Sequence, residues 1–251
     1  MKAISLCSGA DGFGLAAQLL GIEVVAHVEK EKSFDEHYKR HWPNAERFYD
    51  ITTVDPEAIA DADIIFGGEP CGPHSKAGRR KGKEDNNYLW PSYFTICKAK
   101  RPTWIINENV IGSVENLVLD TKIADLESIG YTCRTFNIPA CAVGAYHERK
   151  RIWLLAYTRS GRVRSYKKSN ITQRMHKEVY AKAGWFRNDF QSTTARGVSG
   201  RIFPAPVGGL LPVVNDVSIE LALHKAYGNA VVPWIPYVIL KFILEIEKSN
   251  L

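Results

Sequence analysis

An α/β fold, with a mostly parallel sheet and helices on both faces, is what this sequence predicts, and three observations carry the prediction. Short apolar runs alternate with amphipathic stretches through the first 157 residues, the pattern of strand–helix repeats. Two of the helical stretches end on Gly21 and Gly130, where C-terminal caps belong. The chemistry-bearing residues of this half fall at the carboxyl ends of predicted strands, where open α/β sheets place their ligands.

The elements follow in order. Ala3–Leu6, Val24–Val28, Ile64–Phe66, Trp104–Ile106 and Ile152–Ala156 read as buried strands, and a further strand ends at Asp50 in YDIT. Phe13–Leu20, Phe34–His41, Tyr88–Ala99 and Leu117–Ile129 carry apolar residues at three- and four-residue spacing and read as helices. From Tyr157 to about Val217 the chain changes character. It is basic, rich in Ser, Thr, Gly and Arg, interleaved with aromatics such as Tyr166, Trp185 and Phe190, and has no sustained periodicity. A small irregular lobe is expected there. Helical patterning returns from Ser218, around a break at YGNAVVP. There is no internal repeat and no low-complexity tract.

The 251 residues are 45% hydrophobic and 24% charged, ordinary for a globular enzyme and unlike disordered, collagenous or coiled-coil chains. The longest apolar stretch, Val231 to Ile246, is interrupted by Pro233, Pro236 and Lys241, so no membrane span is expected. The start, MKAISLCSGADG, turns small and acidic too early for a signal peptide. Five irregularly spaced cysteines make neither a disulfide framework nor a zinc pattern, so no metal and a reducing cytoplasm are expected. Net charge is +6, but His147 to Arg201 holds 14 Lys and Arg against 3 Asp and Glu. One contiguous segment carries the whole basic excess, as either a docking surface for a polyanion or a solvated basic face.

Four segments carry chemistry. SGADGFG after the first strand presents backbone N–H groups and a helix start to a polar or anionic cofactor. Glu29 lies 20 residues after Gly9, where an acidic residue binds ribose hydroxyls, and Asp50 could bind an adenine amine. In IIFGGEPCGPHSKAG, Cys71 is displayed on a loop stiffened by Pro70 and Pro73, which suits a nucleophile better than a core thiol. Glu69, two residues earlier, works against a thiolate. INENV puts Glu108 at the carboxyl edge beside that loop, held by Asn109. There it serves either as a proton donor to a substrate nitrogen or as a capping carboxylate. Arg149 and Arg151, two apart at a strand entrance, share one face and suit a base carbonyl and a phosphate or carboxylate, or form a plain basic entrance.

In this order and spacing the segments resemble the DNA cytosine-C5 methyltransferases, phage- or prophage-type members above all. SLCSGADGFG, Glu29, Asp50, GGEPCGPHSKAGRRKG, INENVIG, VGAYHERKRIW and YGNAVVP carry the match; 158–217 does not. The resemblance implies a Rossmann-like S-adenosylmethionine-dependent methyltransferase fold with a small irregular target-recognition lobe. It divides the chain into a catalytic and cofactor-binding domain (1–157), a basic target-recognition region (158–217) and C-terminal helices that return to the catalytic domain (218–251). It also implies S-adenosyl-L-methionine held by Leu6, Cys7, Ser8, Gly9, Asp11, Gly12, Glu29, Asp50, Ile51, Pro70, Leu89, Asn229 and Ala230. Cys71 would attack C6 of a flipped cytosine, Glu108 would support protonation at N3, Arg151 would hold O2 and Arg149 would orient the surrounding loops. Ser75, Lys76, Arg79, Arg80 and Lys81, with Arg159, Arg162, Arg164, Lys167 and Lys168, would contact double-stranded DNA. A monomer in the cytoplasm of a bacterial or phage-infected cell is the corresponding setting.

The sequence departs from the family pattern in places. Cys7 stands where Phe is usual, and Asp11 replaces a Gly of the cofactor loop. Glu69, Gly72 and His74 replace Phe, Gln and Phe around Cys71, and Asn87 stands where Arg is common. Asp11 would attract a sulfonium and repel a carboxylate, and Glu69 with His74 would form an acid–imidazole pair. Three readings stay open beside the leading one: a catalytically weak DNA-binding relative, an RNA cytosine-C5 methyltransferase, and an enzyme using a modified sulfonium donor. The basic segment can be tested directly. Neutralising two or three of Arg159, Arg162, Arg164, Lys167 and Lys168 is expected to weaken DNA binding. It should also flatten the salt dependence by about one unit of log–log slope for each phosphate that is no longer neutralised. An unchanged slope would leave these residues facing solvent.

Overall fold

The computed structural model describes residues 1–70, 88–115, 117–145, 147–158, 194–196, 202–204 and 231–248. Its centre is a seven-stranded sheet ordered β3-β2-β1-β4-β5-β7-β6. The strands are β1 (Lys2–Leu6), β2 (Glu23–Val28), β3 (Glu46–Phe48), β4 (Ile64–Gly68), β5 (Trp104–Val110), β6 (Tyr131–Pro139) and β7 (Lys150–Thr158). The first five pair in parallel, and β7 runs antiparallel to both β5 and β6. A separate antiparallel pair, β8 (Thr194–Arg196) and β9 (Ile202–Pro204), is all that is described between residues 159 and 230.

Alternation along each strand splits the core in two. Ala3, Val24, Ile64, Phe66, Trp104 and Ile106 face one layer, which is closed by α1 (Gly12–Leu19), α2 (Asp35–His41) and the last helix, α6 (Trp234–Lys248). Ile4, Leu6, Val25, Ile65 and Ile105 face the other, covered by α3 (Trp90–Lys100) and α5 (Val118–Ser128), with the one-turn α4 (Gly112–Glu115) just before α5. The expected α/β architecture is therefore the observed one. β6 went unseen in sequence, because YTCRTFNIP alternates only loosely. Gly21 and Gly130 take φ of 71° and 87° and end their helices as expected. Among the described residues no helix is long and apolar enough to cross a membrane.

β1 is the hinge of the topology. β2 and β3 lie on one side of it and β4 and β5 on the other, so the chain reverses direction of build between β1 and β4, and a crevice opens at their carboxyl ends. Both the 7–12 turn and the exit of β4 toward Cys71 lead into this crevice.

The turn is anchored from inside. Asp11 is the N-cap of α1 at φ 52°, 1% exposed. Its Oδ1 accepts from Gly14 N–H at 2.8 Å and Ser5 Oγ at 2.9 Å, and its Oδ2 lies 2.8 Å from His27 Nε2. A Cβ at position 14 would sit 1.9 Å from Asp11 Oδ2, so glycine is required for the carboxylate to reach its partners. Asp11→Ala removes a helix cap and strands two buried polar groups, a loss of about 2–4 kcal/mol. The urea midpoint should fall accordingly; a loss under about 0.5 kcal/mol, the floor for a working cap, would refute the anchoring role.

Candidate active site

The 7–12 turn is built from left-handed backbone at Cys7, Gly9 and Asp11, so its peptide groups turn outward rather than extending β1. Cys7 N–H donates to Val28 O at 2.7 Å, Ser8 Oγ to Ser5 O and Gly9 N–H to Glu29 Oε2 at 2.8 Å. Tyr38, from α2, donates its hydroxyl to Gly9 O. Among the described residues, a Cβ at Gly9 would meet nothing within 4 Å. Glu29 also accepts from Glu31 N–H at 2.9 Å. Asp50 accepts from Thr52 N–H and Oγ1 at 2.9 and 2.6 Å; the Thr52 bonds hold its carboxyl below the usual range. Leu6 and Ile51 are buried beside the turn. An ionised Asp50, a part-buried Glu29 and open backbone N–H groups suit an adenosine-bearing donor.

Asp11 does not take part as expected. Its carboxylate points into the protein, saturated by Ser5, Gly14 and His27, because the left-handed cap directs the side chain under α1. It therefore faces no sulfonium.

At the exit of β4, Gly68 is in register with Glu108 of β5. A Cβ at Gly68 would lie 2.8 Å from Glu108 Oε2, so the glycine leaves room for the carboxyl group. Glu108 is 5% exposed. Arg151 Nε stands 2.9 Å from its Oε1, an ion pair without the angle of a good hydrogen bond. Burial pushes the Glu108 carboxyl up, against the opposing pull of Arg151 and then Arg149. Both arginines thus act on Glu108, in keeping with a shared face. Asn109 does not hold Glu108; its Oδ1 accepts from Val110 N–H at 2.8 Å, since consecutive strand residues point to opposite faces.

Glu69 also has partners the sequence did not suggest. Lys122 of α5 donates to both of its oxygens, at 2.9 and 2.8 Å, and to Asn107 Oδ1 at 2.7 Å. Asn107 Nδ2 completes the ring to Glu69 Oε2 at 3.0 Å. The expected Glu69–His74 pair involves a residue outside the described ones; among the described residues Glu69 is paired with this buried lysine. Pro70 and Leu89 line a small cavity with Glu69, Tyr88, Trp90, Asn109 and Lys122.

Cys71, Gly72, His74, Ser75, Lys76, Arg79, Arg80, Lys81, Asn87, Arg159, Arg162, Arg164, Lys167, Lys168, Asn229 and Ala230 lie outside the described residues. The sequence reading missed Tyr38, Asn107 and Lys122. Tyr38 and Lys122 occupy ordinary helical positions and Asn107 an ordinary strand position, and only tertiary pairing marks them.

A profile of C-5 cytosine-specific DNA methylases matches residues 1–199. The chain is 30% identical over 166 residues to the type II methyltransferase M.AgeI of Thalassovita gelatinovora, covering 61% of this chain and 39% of that protein. With M.HindV of Haemophilus influenzae it is 27% identical over 250 residues, covering 88% and 80%. The chain thus spans well under two thirds of M.AgeI, and likewise 40% of M.DdeI of Desulfomicrobium norvegicum. Among solved structures, a mutant of Spodoptera frugiperda DNMT2 superposes with TM-score 0.53 at 24% identity, over 62% of this chain and 50% of that one. A putative DNA modification methyltransferase from an E. coli prophage gives 0.54 at 19%, over 63% and 47%. These likenesses show the Rossmann-like methyltransferase fold. With the profile matching the greater part of its length, the chain belongs to the C-5 cytosine-specific DNA methylase family.

Proposed function

We propose that this chain is a DNA (cytosine-5)-methyltransferase that uses S-adenosylmethionine and a covalent Cys71 adduct on a flipped cytosine. The observation that carries this reading is the buried Glu108, its carboxyl raised by burial and flanked by two arginines. It sits across the strand end from Gly68, three residues ahead of Cys71. Burial moves such a group toward holding its proton to higher pH than an exposed carboxyl does, the direction that donation to a ring nitrogen favours.

The Cys71 thiolate adds to C6 of the cytosine while Glu108 gives its proton to N3, leaving an enamine nucleophilic at C5. S-adenosylmethionine, when bound, supplies an electrophilic methyl group. After C5 is methylated, loss of its proton to a base, expulsion of the thiolate and return of the N3 proton to Glu108 restore the aromatic ring. Arg151, paired with Glu108, would hold the cytosine O2 as well. Glu29 and Tyr38 hold the cofactor turn, and Asp50 is the acceptor at the adenine end. Asn229 and Ala230 belong to the same proposed cofactor set, and 75–81 with the basic segment to the DNA contacts.

The deciding experiment incubates the purified chain with S-adenosylmethionine and either duplex DNA or tRNA, followed by mass spectrometry of nucleosides. 5-Methyldeoxycytidine from the DNA arm is the expected product. Product from tRNA alone assigns the activity to RNA. DNA binding without product assigns a non-catalytic relative, and tight cofactor binding without product points to a different donor. Cys71→Ala should abolish transfer while DNA binding persists; turnover near wild type would remove the covalent mechanism.

Glu108→Gln keeps the shape but not the proton, and should slow transfer about a hundredfold or more. It also carries a pH signature. A raised carboxyl in the fold binds its proton to higher pH than the unfolded chain does, so stability falls as pH rises past the ordinary value of 4.5. The melting temperature of the wild type should therefore drop relative to Glu108→Gln as pH rises from about 4. Parallel curves would show that burial does not raise Glu108.

A further inference from the structure

His27 of β2 takes no part in the proposed reaction, yet it touches both supports beneath the cofactor turn. It is 1% exposed. Its Nε2 faces Asp11 Oδ2 at 2.8 Å, and its ring lies flat on Tyr38, with centroids 4.4 Å apart and planes 20° from parallel. Of the described aromatic contacts to Tyr38 this is the closest and the flattest. Tyr38 is itself buried and donates its hydroxyl to Gly9 O. Burial, and then the carboxylates of Asp11 and Glu29, push the Tyr38 phenol up, so the hydroxyl keeps the hydrogen it donates.

Gly9 is where this support meets the proposed ribose acceptor. Its carbonyl takes the Tyr38 hydroxyl and its N–H goes to Glu29 Oε2 at 2.8 Å, one bond on each side of a Cα held at φ 54°. Glycine has no side chain to limit its rotation there, so these bonds set the peptide planes. The other Glu29 oxygen accepts from Glu31 N–H at 2.9 Å. A carboxylate oxygen accepts about two hydrogens, so each keeps room for a further donor such as a ribose hydroxyl. Where Glu29 offers that room depends on Gly9, and Gly9 is oriented by Tyr38. The Tyr38 ring is in turn held in plane by the flat contact with His27.

We propose that His27 is a positioning residue for donor binding: its ring face aims the Tyr38 hydroxyl at Gly9 and thereby sets Glu29 toward the ribose. The proposal rests on Glu29 as the ribose acceptor of the proposed function. Its test is binding rather than turnover, by titration calorimetry of the full chain with S-adenosylhomocysteine and with its 2′-deoxy analogue. Wild type should prefer the parent ligand by about tenfold or more, because a charged acceptor built around a hydroxyl penalises its absence. His27→Gln keeps a donor for Asp11 but has no ring, and Tyr38→Phe keeps the ring but not the hydroxyl. Both should lower the preference to about twofold or less, while affinity for the 2′-deoxy analogue stays within about threefold of wild type. His27→Phe and His27→Leu both lose the Asp11 bond and differ in the ring, so the first should keep the preference and the second lose it.

A merely structural part would weaken both ligands alike, since a loosened turn does not single out one hydroxyl. An unchanged preference in His27→Gln, or equal preferences in His27→Phe and His27→Leu, would overturn the positioning role. Should His27→Gln fail to fold, the Phe and Leu pair decides by the same criterion. An unchanged preference in Tyr38→Phe, which removes one oxygen, would overturn the route through Gly9. Equal binding of the two ligands by wild type would overturn both Glu29 as ribose acceptor and the role built on it. If wild type and variants bind as expected but no DNA is methylated, the His27 role stands and the proposed function falls.

Discussion

Three donors from three elements converge on the Asp11 carboxylate: Ser5 from β1, Gly14 from α1 and His27 from β2. Because that carboxylate is cut off from water, each of those bonds matters more than at a surface, and the loss of any one leaves a buried group stranded. The turn carrying Gly9 is suspended from this joint. Glu29 and Tyr38 then grip its middle from the side, so β2 and α2 both register against it. The crevice at the ends of β1 and β4 therefore inherits its shape from an interaction buried beneath it. It is also why a charged residue can stand where the family pattern has glycine without charging the crevice.

Three buried carboxyl groups lie along this edge, and their surroundings give them different work. Asp11 is fully met by neutral donors and a histidine, and serves as a joint. Glu69 is met by an ammonium and an amide in a closed ring, which ties the exit of β4 to β5 and α5. Glu108 has an imperfectly aligned, partly exposed guanidinium as its ion-pair partner, and burial outweighs it, pushing the Glu108 carboxyl up. Acid–base roles are separated by environment rather than by residue type.

Much of this was legible in the sequence, for reasons that can be located. Glu29 and Asp50 were readable because a strand end is a fixed place and a period-two pattern shows where it falls. Gly21 and Gly130 were readable because a left-handed helix stop favours glycine. The inward turn of Asp11 was not, since its decisive partner, His27, is 16 residues away on a neighbouring strand and nothing local couples them. Lys122 was invisible for a similar reason: on α5 it occupies a place where any lysine would look solvated. Its importance comes from Glu69, 53 residues earlier. Asn109 misled because adjacency in sequence is separation across a strand.

Gly12, at the start of α1, abuts the chain just before α6. A Cβ there would sit 2.3 Å from the carbonyl oxygen of Val231, so the backbone leading into α6 is seated directly on the start of α1. No side chain fits between the two, and close-packed interiors pass such a displacement on to their neighbours rather than absorb it. The turn after β1 and the helix that closes this layer of the core are therefore bound to shift together.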